Sequence, residues 1–230
     1  MSVEVIEIMK EPTPELLRDA PAGQVSGIVF YPDDRLLAPS KEVPPEFFGE
    51  QLDKLVSDMV TTMYMCGGIG LSAIQIGVSL RVFVSDITAL GARVKKGESV
   101  NQLLVAVNPV IETPEGSQEV GIIEGCLSFP GVNEVVKRPE NVILRACSRK
   151  GEPYTLSMDG MLGRIIQHEM DHLDGKTFLD RMKPMAKDSA RKAIVRFHKG
   201  VENDTIRVNP KLKVAPKTRV RKKVKRKKRR

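Results

Sequence analysis

Residues 167–175 read QHEMDHLDG and place two histidines four positions apart. The helical spacing of apolar residues from Asp159 onward predicts that this stretch lies in a helix. In a helix, His168 and His172 share one face and lie one turn apart, so both imidazoles can bind the same ion. Glu169 directly follows the first histidine and can act as a base beside that ion. The stretch therefore predicts a metal site carried by a helix.

The same pattern also occurs in ordinary helices, where the two histidines are simple core or surface residues. The chain has three histidines, and two of them occur here, which favours a metal site. A catalytic metal site needs a third protein ligand and an open position. Downstream, Asp174, Asp180 and His198 do not follow a recognised ligand spacing. Upstream, Cys126 in EGCLS (124–128) is a candidate, although a lone cysteine is commonly a buried structural residue.

The rest of the chain combines two further helices with several strands. Apolar residues spaced three and four apart predict an amphipathic helix from Glu46 to Met65, which Cys66-Gly67-Gly68 ends before a glycine-bounded loop. Strands are predicted at 81–86, 102–114, 134–136, 141–147 and 154–158, a tight turn at Gly125, and a final helix at about 187–198. Segregated helices and strands predict an α+β fold. We expect a single domain with mostly antiparallel or mixed sheets around the central helix that carries the HEMDH stretch at 168–172.

Length and composition are those of an ordinary globular protein. The chain has 230 residues, of which 41% are hydrophobic and 29% charged. No apolar run approaches the ~18 residues that a membrane helix needs. The acidic N-terminus lacks the apolar core of a signal peptide, and Cys66, Cys126 and Cys147 are an odd number of cysteines. Both features favour a reducing compartment over a disulfide-bonded, secreted protein.

Positive charge is concentrated at the C-terminus. Residues 211–230 contain 13 Lys and Arg and no acidic residue. Removing those 13 charges from the overall net charge of +8 leaves −5 for residues 1–210. We therefore expect an N-terminal extension at 1–26, a folded domain at 27–200 and a basic tail at 201–230 that is disordered when free.

Three segments together resemble the motifs of peptide deformylases. They are GIGLSAIQ at 68–75, EGCLS at 124–128 and QHEMDH at 167–172, in that order. The likeness spans about residues 27–198 and includes YPDDRL at 31–36. Three ordered motifs are far more specific than any one of them. The resemblance implies an enzyme that removes the N-formyl group from the N-formylmethionine of nascent polypeptides and releases formate.

The resemblance also implies a complete ligand set. Cys126, His168 and His172 would hold one divalent metal ion, with Fe2+ as the native ion and Zn2+ or Ni2+ as substitutes. A mixed sulfur and nitrogen site accepts all three ions.

Three further residues are implied as catalytic groups. Glu169 would take a proton from the attacking water and deliver it to the departing amine. The backbone N–H of Leu127 and the side-chain amide of Gln75 would bind the developing oxyanion.

A substrate pocket is also expected, with an apolar lining for the methionine side chain. The residues expected to form it are Ile69, Gly70, Ile122, Gly125, Met161 and Ile165. The glycines would let an extended peptide approach the backbone closely. The alternative role of the four apolar residues is ordinary core packing.

Two positions depart from the pattern of the family. Ser72 occupies a position that is commonly Ala, which is a small change. Asn133 occurs where Arg is common and cannot supply its charge, so contacts with the peptide backbone there would be weaker or provided otherwise. Glu124 is expected to orient a metal ligand or to hold its own loop.

The basic tail has no aromatic residue, so it can bind phosphates only through charge. Its densest part comprises Lys222, Lys223, Lys225, Arg226, Lys227, Lys228, Arg229 and Arg230. Because the family acts on chains that leave the ribosome, we expect the tail to contact ribosomal RNA. Other nucleic acids, a nuclear-type address and a purely solubilising role remain as alternatives.

Two other functions compete with deformylation. A metallopeptidase would use the same water and Glu169 to cleave internal peptide bonds, whereas an RNA-binding module would keep only a vestigial site. The complete set of Gln75, Cys126 and Glu169 argues against both. We expect a monomer without membrane contact in a cytoplasm of bacterial type, and an organellar mature form stays open.

Overall fold

The computed structural model describes residues 23–86 and 103–202 of the chain. The helices within these ranges are α1 (Glu50–Met65), α2 (Gly160–Leu173) and α3 (Pro184–Glu202). The strands are β1 (Gly70–Ser72), β2 (Val82–Asp86), β3 (Leu103–Glu112), β4 (Glu119–Gly125), β5 (Asn133–Pro139), β6 (Val142–Cys147) and β7 (Pro153–Met158). Five strands form one antiparallel sheet in the order β1-β2-β3-β6-β7, and β4 pairs with β5 in a separate antiparallel ribbon. The predicted α+β class is confirmed.

The five-stranded sheet lies between α1 and α2. Successive strand residues point to opposite faces. Val82 and Val84 of β2 therefore join the core against α1, whereas Phe83 joins the core against α2. This arrangement explains why every residue of β2 is buried.

Helix α2 is the central helix that the motif predicted. Its residues from Gly163 to Leu173 are all buried. Ile166 and Met170 pack against the sheet, while Arg164 and Gln167 donate to backbone carbonyls of β5 on the other side. The helix is thus enclosed by the sheet and the ribbon, which brings its polar motif into the interior.

Helix α1 begins later than its apolar spacing suggested. It begins at Glu50 rather than Glu46, because Gly49 adopts φ 95° and a short 3-10 turn occupies 45–47. Its predicted glycine ending is confirmed, since Gly67 has φ 68°. The predicted loop at 68–77 contains β1 and a 3-10 turn, Ala73–Ile76.

The predicted turn at Gly125 is wrong. Gly125 is the last residue of β4 and pairs with Asn133 of β5. The chain reverses after it, at 127–131, where Gly131 has φ 74°. Pairing along the ribbon keeps Gly125 extended, and the glycine that the turn requires is the later one.

Helix α3 is longer than the predicted 187–198. It buries Ala190 and Ile194 against a cluster that contains Phe129 and Phe178. Most of the predicted extension (1–26) and nearly all of the predicted tail (201–230) lie outside the described residues. Residues 23–26 are described and contact α1, where Gln24 N–H donates to Asp58 at 2.7 Å. Within the described ranges, no helix is long and apolar enough to cross a membrane.

Candidate metal centre and active site

Three predicted ligands meet between the end of β4 and the middle of α2. The ligand atoms of Cys126, His168 and His172 all lie within 4.8 Å of one another. Cys126 Sγ and His172 Nε2 lie 3.2 Å apart. One sulfur and two imidazole nitrogens suit iron, zinc or nickel, and three protein ligands leave a coordination position for water or substrate. The donor set therefore fits a divalent metal ion.

The downstream alternatives for the third ligand are directed elsewhere. Asp174 pairs with Arg81 at 2.9 Å, and Asp180 closes a turn with Thr177. His198 contacts the backbone carbonyl of Tyr31 at 2.6 Å. None of the three approaches the pair of histidines on α2.

Glu124 orients His168. Its Oε2 lies 2.9 Å from His168 Nδ1, which leaves Nε2 as the nitrogen that can bind an ion. Burial raises the pKa of Glu124, but hydrogen bonds from Arg138 and His168 outweigh it and lower this pKa to about 2. Glu124 is therefore ionised at neutral pH beside the site.

The pKa values of the two histidines are shifted in opposite directions. Burial lowers the pKa of His168, but the nearby Cys126 and the Glu124 carboxylate outweigh burial and raise it well above its usual value. Burial, together with the charge of His168, lowers the pKa of His172 far below its usual value. His172 Nδ1 is buried and has no hydrogen-bond partner within the part of the chain that the structure describes.

A buried chain of ion pairs supports the ligands from behind. Arg138 is fully buried between Glu124 and Asp171, to which it donates at 2.7 and 2.6 Å. Arg164 adds a second donor to Glu124, and Arg181 adds one to Asp171. These ion pairs connect the β4–β5 ribbon, which carries Cys126, with the helix that carries both histidines.

Arg138 and Arg164 were not predicted from the sequence. The signal that could have pointed to them is indirect, because Glu124 and Asp171 lie in motifs expected to be buried, and a buried carboxylate needs a positive partner.

Glu169 is buried beside the candidate ligands and faces the segment 68–75. Its Oε2 accepts from Ser72 Oγ at 2.5 Å. A Cβ on Gly70 would lie 2.5 Å from Glu169 Oε1, so a larger residue there would displace the carboxylate. Burial raises the pKa of Glu169, and both His168 and the Ser72 hydroxyl oppose that rise.

Gln75 is buried next to the candidate sulfur ligand. Its Nε2 lies 3.5 Å from Cys126 Sγ and 3.3 Å from Ser128 Oγ. Its Oε1 accepts from the backbone N–H of Ser72 at 2.8 Å, which fixes the orientation of the amide. Leu127 packs its side chain against Gly68, where an added Cβ would lie 2.8 Å from Leu127 Cδ1. The segments 68–75 and 124–128 are therefore in direct contact.

The predicted pocket residues differ in burial. Ile165 is buried, and its Cγ2 would lie 2.9 Å from a Cβ on Gly70. Met161 is one turn earlier on α2 and 41% exposed. Ile69 and Ile122 are half-buried, and Gly125 is exposed at the end of β4. The structure thus brings Ile165 and Gly70 together beside Glu169, with Met161 at the surface.

A cysteine sulfur and two imidazoles beside a buried carboxylate, in an α+β scaffold, are typical of a metal-dependent hydrolase. The family model for polypeptide deformylase matches residues 25–188. A peptide deformylase from Legionella pneumophila is 38% identical, with a TM-score of 0.67, over 77% of this chain and 98% of that one. Peptide deformylase 1B of Arabidopsis thaliana, solved with an inhibitor, is also 38% identical, with a TM-score of 0.66, over 80% and 96% of the two chains.

A peptide deformylase from Plasmodium falciparum is 32% identical, with a TM-score of 0.66, and the match covers 78% of this chain and 99% of that one. The chain belongs to the peptide deformylase family. It is accordingly a metal-dependent hydrolase that removes the N-formyl group from nascent polypeptides.

Proposed function

We propose that Cys126, His168 and His172 bind the divalent metal ion of this deformylase and that Glu169 carries the proton of the reaction. The observation that carries the proposal is the convergence of three ligand atoms within 4.8 Å, next to a buried carboxylate. Fe2+ is the proposed native ion, and Zn2+ or Ni2+ can take its place. When bound, such an ion lowers the pKa of water toward ~7 and polarises a carbonyl group.

Glu169 performs two proton transfers in this proposal. One carboxylate oxygen accepts the proton that the attacking water loses as its oxygen bonds to the formyl carbon. The same carboxyl group then gives the proton to the amine nitrogen while the C–N bond breaks. Formate and the free α-amine of methionine are the products, and Glu169 returns to its ionised state. Because Glu169 is enclosed, bulk solvent does not compete for the proton.

Two donors support the developing negative charge on the formyl oxygen. Gln75 Nε2 lies near the sulfur ligand, where its orientation is set by the bond from Ser72. The backbone N–H of Leu127 follows Cys126 directly and is proposed as the second donor. Losing one such donor typically costs about 3–4 kcal/mol of transition-state stabilisation.

The methionine side chain of the substrate is proposed to contact Ile165, Met161, Ile69 and Ile122. Ile165 is the innermost member, and Met161 provides a flexible, partly exposed wall. Gly70 and Gly125 lie at strand ends and leave the main chain accessible to an extended peptide.

Formate release tests the function as a whole. The enzyme is incubated with a formyl-Met tripeptide and with an unformylated peptide of the same sequence. Formate is assayed, and both peptides are examined by mass spectrometry. We expect one formate for each new amine and no change in the unformylated peptide. Internal cleavage without formate would identify a metallopeptidase, and no turnover by the metal-loaded protein would favour a binding module.

We further propose that the basic tail brings the enzyme to ribosomal RNA. The support is the charge of its residues 211–230, whose 13 Lys and Arg and lack of acidic residues contrast with the −5 of residues 1–210. The exposed residues Arg191, Lys192 and Arg196 of α3 extend positive charge onto the folded domain before the tail begins. The working form is proposed to be a monomer in a compartment where translation starts with formyl-Met, either a bacterial cytoplasm or an organelle.

A further inference from the structure

Ser72 connects the two side chains that are proposed to act on the substrate. It is fully buried at the end of β1, directly before the 3-10 turn that carries Gln75. Its hydroxyl donates to Glu169 Oε2 at 2.5 Å, and its backbone N–H donates to Gln75 Oε1 at 2.8 Å. One residue is therefore bonded both to the carboxylate and to the amide.

The bond to the carboxylate is the stronger of two contacts that the hydroxyl makes. The backbone carbonyl oxygen of Glu169 also lies 3.1 Å from Ser72 Oγ. A hydroxyl has one proton, and an O–H bond of 2.5–2.7 Å to a carboxylate is the charge-assisted type. The proton is therefore directed to Oε2, while Oε1 lies beside Gly70.

We propose that Ser72 is a positioning residue for deformylation, whose hydroxyl holds Glu169 Oε2 so that Oε1 accepts and returns the proton. The proposal rests on the role of Glu169 as the proton carrier. A carboxylate held at one oxygen keeps its orientation between the two proton transfers, so less reorganisation is needed at each step.

The test is the variant Ser72→Ala, which removes one oxygen and adds no bulk. We expect kcat for a formyl-Met tripeptide to fall about two- to tenfold, the effect of one ordinary hydrogen bond. KM should stay within about twofold of wild type, because the substrate ground state does not contact Ser72. Metal content and Tm are measured on the same samples, since a purely structural role would lower them together with kcat.

Ser85→Ala is the matched control. Ser85 is also fully buried, lies opposite Gly70 on β2, and has an Oγ without a hydrogen-bond partner among residues 23–86 and 103–202. Its variant should retain the kcat of wild type. An unchanged kcat in Ser72→Ala, an equal fall in Ser85→Ala, or a fall that follows loss of metal would each overturn the proposal.

Glu169→Gln is measured alongside to separate the proton-carrier role of Glu169 from the positioning role of Ser72. If Glu169→Gln keeps wild-type turnover, the proton-carrier role fails and the positioning role fails with it. If Glu169→Gln loses turnover while Ser72→Ala does not, only the role of Ser72 is refuted.

Discussion

At the scale of residues, the three candidate ligands are held in different ways. Cys126 Sγ lies within reach of the Gln75 amide, and His168 is oriented by the Glu124 carboxylate. His172 lacks such a partner at Nδ1 among the described residues and is held by burial in α2. Of the three candidate ligands, Cys126 alone comes from outside the helix.

Removing the sulfur ligand should empty the site of tightly bound metal. In Cys126→Ala, two imidazoles remain, which are too few for a stable protein site. We expect elemental analysis after dialysis to find far less than one metal ion per chain, with the fold retained by circular dichroism. Cys66→Ala is the control, since Cys66 packs in the core near α1 and should leave metal content unchanged. One tightly held ion in Cys126→Ala would place the third ligand elsewhere.

Substrate preference tests the proposed pocket. Burying the methionine side chain against Ile165 and Met161 should be worth roughly 1.5–3 kcal/mol. A formyl-Met peptide should therefore have a kcat/KM about 10- to 150-fold higher than a formyl-Gly peptide of the same length. Equal values of kcat/KM for the two peptides would remove both residues from the pocket.

At the scale of elements, the ribbon and the central helix are joined by buried charges. Arg138 of β5 bonds both Glu124 of β4 and Asp171 of α2. Breaking such a pair is costly because it leaves a carboxylate buried without a partner. These ion pairs thus fix the position of the strand that leads to Cys126 relative to the helix that carries the histidines.

Arg138→Met should therefore be strongly destabilising. We expect a loss of about 3–5 kcal/mol in the free energy of unfolding, measured by urea denaturation. The control is Arg145→Met, which removes an exposed pair with Glu112 and should cost less than about 1 kcal/mol. Similar losses in the two variants would show that the buried chain has no special role in stability.

Local sequence patterns predicted the helices and strands well, but they predicted few of the contacts between these elements. His168, Glu169 and His172 could be grouped because a helix places residues four apart on one face. Cys126 could be joined to them only through the family resemblance, since no local period links β4 to α2. Arg138 was missed because its role depends on partners from two other elements. Gly125 was misplaced because its extended conformation depends on pairing with β5.

At the scale of the whole molecule, the folded domain and the tail are proposed to act separately. Deleting residues 211–230 should leave the hydrolysis of short formyl peptides almost unchanged, because the described active site is built from residues 68–172. Binding to ribosomes should weaken, since the remaining chain has a net charge of −5 and repels RNA.

Ribosome co-sedimentation between about 50 and 200 mM salt measures this effect, because phosphate contacts lose affinity by orders of magnitude over that range. A full-length variant with the 13 Lys and Arg of residues 211–230 changed to Gln controls for chain length. It should behave like the deletion. Identical binding curves for wild type and both variants would show that the tail does not dock the enzyme.

The most direct test of the whole account is formate release by Glu169→Gln, measured together with its metal content. Glutamine keeps the shape of the side chain and can still accept from Ser72, but it cannot take up the proton of water. We expect wild-type metal content and a kcat lower by about 100-fold or more, the usual contribution of a general acid–base group. Full metal content with turnover within about threefold of wild type would contradict the account, because the proton would then be carried by another group.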